Sequence, residues 1–256
     1  MRNYLIIVEG AHDIAVIERV LSLNGIKDRV GKEEDLPEIW KRIIPTRYPF
    51  DQNRLDRIAP IPSFVKSHDI SVAIKNANSD KEIINTLQQI LHYMEIKDIA
   101  ELESVMLVCD ADLETADAKR KKILDMWEDT GDLILNESKM EIETRIKKIP
   151  LYTFIFPDDC NSGNLENLLL ETAKEAYPKL LEWALEYIDK AKTVTSTLKR
   201  EQDIKKATIG CIANTMKPGK ANQVSIADNE WITEETLKKC LMLEKLDVSI
   251  KKMIMI

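Results

Sequence analysis

Two short stretches carry residue types that could do chemistry together. In Leu5-Ile6-Ile7-Val8-Glu9-Gly10-Ala11-His12-Asp13, four apolar residues run straight into a carboxylate, and a second carboxylate follows four positions later. In Val105-Met106-Leu107-Val108-Cys109-Asp110-Ala111-Asp112 an apolar run again ends in acids, here alternating. Continuous apolar runs of this length read as strands covered on both faces. Such strands seldom end in carboxylates without cause, because a charge at the edge of a core must be paired or solvated. On an extended chain Asp110 and Asp112 would point to the same side, while Glu9 and Asp13 would bracket a strand-to-helix turn at Gly10. If the four converge, repulsion decides the chemistry: two like charges ~4 Å apart repel by about 4 kcal/mol at an effective dielectric of about 20. A divalent cation or protonation must then relieve them. All-oxygen ligands without histidine or thiolate favour Mg2+ or Mn2+. Such ions activate water and stabilise the charge that develops in phosphodiester cleavage. The competing, purely structural reading has Glu9 capping a helix, Asp13 facing solvent and Asp112 making a turn.

The elements that must position these groups follow from periodicity. Strands are expected at 4–8, 70–74, 104–109 and 151–156, and helices at 12–24, after Ser79 or Asp80, after Thr115, after Pro178 and after Thr233. Strand and helix alternate with connections long enough for parallel crossovers, so the expected fold is α/β: a Rossmann-like sheet of about four mainly parallel strands between helices. Ligands of such sheets sit at the carboxyl ends of the strands, where Glu9 and Asp110 fall. Residues 1–175 would form this domain, and 176–256 a helical extension packed on it. The segment 31–65 interrupts the pattern with Pro45, Pro49, Pro60 and Pro62, with Arg42, Arg47, Arg54 and Arg57, and with Trp40, Tyr48 and Phe50. It reads as a solvated insertion or as a basic flap suited to phosphates and bases. The run Lys119-Arg120-Lys121-Lys122 reads as a solvated helix face, with contact to phosphates as the alternative. Asp158 and Asp159 end the fourth strand and could join the pocket or make a solvated turn.

Composition narrows the class. The 256 residues are 44% hydrophobic and 32% charged, enough apolar material for a packed core. Cys109, Cys160, Cys211 and Cys240 are widely spaced, which argues against a zinc site or disulfide framework and fits a reducing cytoplasm. No apolar run approaches the ~18 residues of a membrane span. A net charge of −7 argues against a protein that coats nucleic acid.

With these residues in view, the chain resembles a Toprim domain, the catalytic module of topoisomerases, bacterial primases and OLD-type nucleases. Val8-Glu9-Gly10-x-x-Asp13 after one strand, and Val108-Cys109-Asp110-Ala111-Asp112 after another, carry the likeness. The resemblance implies that Glu9, Asp110 and Asp112 hold Mg2+ for phosphodiester cleavage or transfer. Asp13 and Gly163-x-Leu165-Glu166 look more like the OLD-type branch, which implies that Asp13 and Glu166 add metal ligands. In that branch a C-terminal lysine stabilises the transition state, a role that Lys206 or Lys205 would fill here; Gly10 and Lys220 would contact phosphate. Nucleic acid is the implied substrate and a nuclease the implied activity. OLD-type enzymes usually carry an ATPase ahead of this domain, and this sequence shows no phosphate-binding glycine loop, so a separate ATPase is an expected partner. A non-catalytic Toprim-fold regulator and a phosphatase or nucleotide-sugar enzyme, in which Asp-x-Asp after an apolar strand also binds Mg2+ or Mn2+, are the alternatives. The phosphatase leaves Glu9-Gly10-x-x-Asp13 unexplained.

Overall fold

The computed structural model describes residues 1–44 and 61–256. Residues 45–60 of the expected insertion, with Pro45, Arg47, Tyr48, Pro49, Phe50, Arg54, Arg57 and Pro60, fall outside them. Its flanks form short elements: β2 (Asp28–Arg29), α2 (Glu38–Lys41) and β3 (Ser63–Lys66).

The centre is built from four strands, β1 (Arg2–Val8), β4 (Ile70–Asn76), β5 (Leu102–Asp110) and β8 (Lys148–Phe156). They run parallel, β1 between β4 and β5, with β8 beyond β5. The sheet is nevertheless wider than four strands. With β6 (Leu133–Asn136) and β7 (Glu141–Thr144) it has eight among the described residues, in the order β2-β3-β4-β1-β5-β8-β7-β6, and the added strands at both edges are antiparallel. These short edge strands escaped the periodicity argument because two to four residues give too little alternation to detect.

Alternation along the central strands sorts their side chains to two faces. Tyr4, Ile6 and Val8 share one apolar cluster with α1 (Ala11–Leu23) and with Leu165, Leu168 and Leu169 of α6 (Leu165–Ala176). Leu5 and Ile7 share the other with α3 (Ile83–Tyr93), α4 (Ile96–Glu101) and α5 (Ala116–Leu124). The chain after residue 176 forms α7 (Pro178–Ala191), α8 (Glu201–Met216), α9 (Asn222–Asp228), α10 (Glu234–Lys239) and α11 (Leu241–Ile254). Leu181, Ile209, Ile212, Leu243, Leu246 and Met253 from these helices belong to the first cluster, together with the strands. The C-terminal helices therefore make up much of one face's core.

Several local expectations differ in detail. The helix after β4 begins with a 3-10 turn at Asp80–Glu82, not with a side-chain cap from Ser79 or Asp80. Thr115 does cap α5, accepting from the Ala118 N–H at 3.3 Å. Thr233 caps α10, which is followed by the longer α11. After α1 the chain turns at Gly25, whose φ of +81° is the left-handed conformation that favours glycine. No helix among the described residues is long and apolar enough to cross a membrane.

Candidate functional site

Glu9 follows the last residue of β1 and Asp110 ends β5, so parallel register brings their backbones side by side: Val8 pairs with Val108. The Asp110 N–H donates to Glu9 Oε2 at 3.3 Å. Asp13 lies in the first turn of α1, 6% exposed, and accepts from the Gly10 N–H at 2.7 Å. Asp110 Oδ1 accepts from the Leu165 N–H at 2.8 Å, capping the first turn of α6 from the neighbouring strand. Glu166 follows Leu165 on that turn and is also 6% exposed. Two helix N-termini thus deliver carboxylates and backbone N–H groups to the same point, where helix dipoles favour negative charge.

Loop contacts hold α6 in place. Asp112 and Gly163 exchange backbone hydrogen bonds of 2.7 and 2.8 Å, joining the chain after β5 to the chain after β8. The Ala111 N–H donates to Phe156 O at 3.0 Å. Asp112 has a φ of +55°, a left-handed conformation that aspartate tolerates better than most residues. That turn separates the two acids of the Asp-x-Asp pair, which an extended chain would have aimed alike. Asp110 is half-buried, with Oδ1 held by the first turn of α6. The Asp112 carboxylate, 41% exposed, is turned to Gln202 Nε2 of α8 at 2.7 Å and to Lys119 Nζ of α5 at 3.7 Å.

Burial and like charge dominate the electrostatics. Asp13 is pushed up to about 8, first by burial and then by Glu9 and Glu166, against the hydrogen bond from Gly10. Asp110 lies well above the usual carboxylate range for the same primary cause, with Asp13, Glu9 and Glu166 adding to it. Glu9 is raised by burial, opposed by the Asp110 N–H, with Asp80 and Asp112 adding to the shift and Lys119 opposing it. Glu9, Asp13, Asp110 and Glu166 therefore form one electrostatic cluster, and Asp112 stands at its rim.

The remaining expected residues divide. Lys206 Nζ lies 4.0 Å from Glu166 Oε1, on an exposed side chain at the cluster's edge. Lys205 is drawn to Asn167 Oδ1 at 3.1 Å and to Glu201 at 2.7 Å. Gly10 is in extended backbone (φ −147°) that any residue adopts, and its N–H is already given to Asp13. Lys220 lies on the exposed turn between α8 and α9, and its side chain has no partner among the described residues. His12 is half-buried, and burial lowers its pKa. Asp158 pairs with Lys245 at 3.0 Å and Asp159 with Arg120 at 2.7 Å, so both serve other contacts. Cys109 is fully buried, and burial pushes its thiol well up.

Lys119 corrects the expectation of a solvated basic face. It is 2% exposed, and its ammonium lies 2.8 Å from Asp80 Oδ2. Burial works against its charge, but the hydrogen bond and charge of Asp80 outweigh this and raise its pKa. Lys119, Asp80 and Gln202 were not legible as site residues. The one available signal was the position of Lys119 four residues after the helix cap Thr115, on the same side as buried Ala116 and Ile123.

The fold and site define an α/β protein with a mixed sheet and a part-buried acidic cluster at the carboxyl ends of its parallel strands. The chain belongs to the DUF3226 family, a protein family of unknown function, which it matches over residues 3–243. Among solved structures it is similar to the hypothetical protein PH0156 from Pyrococcus horikoshii OT3, at 18% identity and a TM-score of 0.55, over 98% of this chain and 100% of that one. At that identity the likeness speaks for the fold. No curated protein matches the chain.

Proposed function

We propose that the protein is a Toprim-type, Mg2+- or Mn2+-dependent enzyme that cleaves phosphodiester bonds in nucleic acid. The observation that carries this reading is the convergence of Glu9, Asp13, Asp110 and Glu166 from two strand ends and two helix N-termini. The residues suit a hard divalent cation on two further grounds. The donor set is all carboxylate, and Glu166 Oε2 is buried with no hydrogen-bond partner. Among the described residues no three His, Cys, Asp or Glu are already arranged to hold an ion. Asp13 and Asp110 are turned to backbone N–H groups, and rotation of these side chains would free their oxygens.

In this reading Glu9, Asp13, Asp110 and Glu166 hold the cation, with Asp112 at the rim. A bound ion would supply Lewis acidity and a water of lowered pKa. Lys206, exposed beside Glu166, would offset negative charge that develops on the scissile phosphate. Lys220, exposed on the turn between α8 and α9, would contact phosphate of the bound nucleic acid. The test is cleavage of single- and double-stranded DNA and RNA with Mn2+ or Mg2+, comparing wild type with Glu9→Gln and Asp110→Asn. Each variant is expected to lose at least about 100-fold in rate. Activity within about twofold of wild type in both variants would remove these residues from the mechanism.

A second reading, a non-catalytic Toprim-fold module that partners a separate ATPase, draws on the same hydrogen bonds. Carboxylates already engaged by backbone N–H groups can be structural caps. Calorimetry that detects no Mn2+ binding would favour it over the enzyme.

A further inference from the structure

The acidic residues of the site fall into two groups that differ in what neutralises them. In the first, Glu9, Asp13 and Asp110 are met by backbone N–H groups, and Glu166 Oε2 has no partner. Among the described residues, the positive side chain nearest this group is the exposed Lys206, 4.0 Å from Glu166. In the second, Asp112 and Asp80 share the buried ammonium of Lys119 at 3.7 and 2.8 Å. Both oxygens of Asp112 are engaged, Oδ1 by Gln202 and Oδ2 by Lys119.

The lysine is also fixed. Its helix is capped by Thr115, its own N–H donates to Thr115 O at 2.9 Å, and its side chain is 3% exposed. A dication placed beside Asp112 would face a buried ammonium that cannot retreat to solvent, and like charges at that distance repel. A dication placed among Glu9, Asp13, Asp110 and Glu166 would meet, within 4 Å and among the described residues, the solvent-screened Lys206 as its one cationic neighbour, whereas Lys119, seated on Asp80, acts on this group more distantly, through Glu9.

We infer that Lys119, seated between Asp80 and Asp112, is the built-in second cation of the site, so that the chain takes one divalent ion where a five-carboxylate site would suggest two. This rests on the metal-dependent reading above. Lys119 is a positioning residue: it holds Asp112 at the rim and supplies fixed positive charge there. Asp80, from the turn after β4, belongs to the site through it.

The experiment counts bound Mn2+ per chain by calorimetry and by electron paramagnetic resonance, with wild type, Asp110→Asn, Asp112→Asn and Lys119→Gln. Wild type is expected to bind one ion. Asp110→Asn should weaken it at least about tenfold, and Asp112→Asn by less than about threefold. Lys119→Gln, with its fold checked by circular dichroism, should gain a second ion. Two ions in wild type, equal weakening by both aspartate variants, or a folded Lys119→Gln that still binds one ion would each overturn the inference and leave the metal-dependent reading intact. No binding by wild type would remove that reading and the inference together. Should Lys119→Gln fail to fold, the wild-type count and the two aspartate variants still decide.

Discussion

Asp13 shows how a single buried acid couples the site to stability. Its folded pKa of about 8 stands above the ordinary aspartate value, so its contribution is fully present when the carboxyl is protonated in both states. That contribution is lost as pH rises toward and through 8, because the unfolded chain releases the proton first. Asparagine at this position keeps an acceptor for the Gly10 N–H without the charge. In metal-free protein Asp13→Asn is therefore expected to melt above wild type at pH 8.5, by on the order of a few kcal/mol, and the gap should close toward pH 4. Melting curves in chelator across this range check the sign; a constant difference at all pH values would mean that the charge of Asp13 is not the cause. Saturating Mn2+ should reverse the order at pH 8.5, since it neutralises what Asp13→Asn removes.

At the scale of elements, the site depends on how two loops tie α6 to β5. Gly163 is the hinge of that tie. Its φ is +136°, and a Cβ there would lie 2.9 Å from Asn167 Oδ1 and 3.2 Å from Pro157 Cδ. Gly163→Ala is expected to cost about 1–3 kcal/mol in stability and to weaken Mn2+ binding, because the displaced turn carries the Leu165 N–H and Glu166. Gly131→Ala, where a Cβ would meet nothing within 4 Å, is the control and should leave both unchanged. Denaturant titration and calorimetry on the two variants separate the local effect from a general one. Helix α8, packed on α6 in the same apolar cluster, makes a complementary tie: Gln202 reaches Asp112 and Lys205 reaches Asn167.

For the whole molecule, the consequence of a shared core is cooperativity. Leu246 of α11 is fully buried in the cluster that also contains Tyr4, Ile6 and Val8. Leu246→Ala should therefore destabilise the chain by about 2–5 kcal/mol and shift one transition, with far-ultraviolet and near-ultraviolet signals still coincident. A second transition, or a persisting fold of residues 1–175 after the helices melt, would show that the C-terminal helices are a separable unit.

Some of this was written in local pattern. The four central strands and the acids at their ends were readable because an apolar run followed by a carboxylate is a statement about adjacent residues. Glu166 could be placed only by resemblance, and its proximity to Asp13 required the Asp112–Gly163 tie. Periodicity reports which side of an element is buried, not what covers it, so the flanking strands and the role of the C-terminal helices in the core were not legible. Charge pairing was still less so. Lys119 meets Asp80 across 39 positions and Gln202 meets Asp112 across 90. By itself the sequence determined that β1 and β5 would each end in carboxylate. Only the tertiary structure decided which of those carboxylates stand together unpaired and which are met by a lysine, because an ion pair is made by neighbours in space and the chain that brings them together is the whole fold.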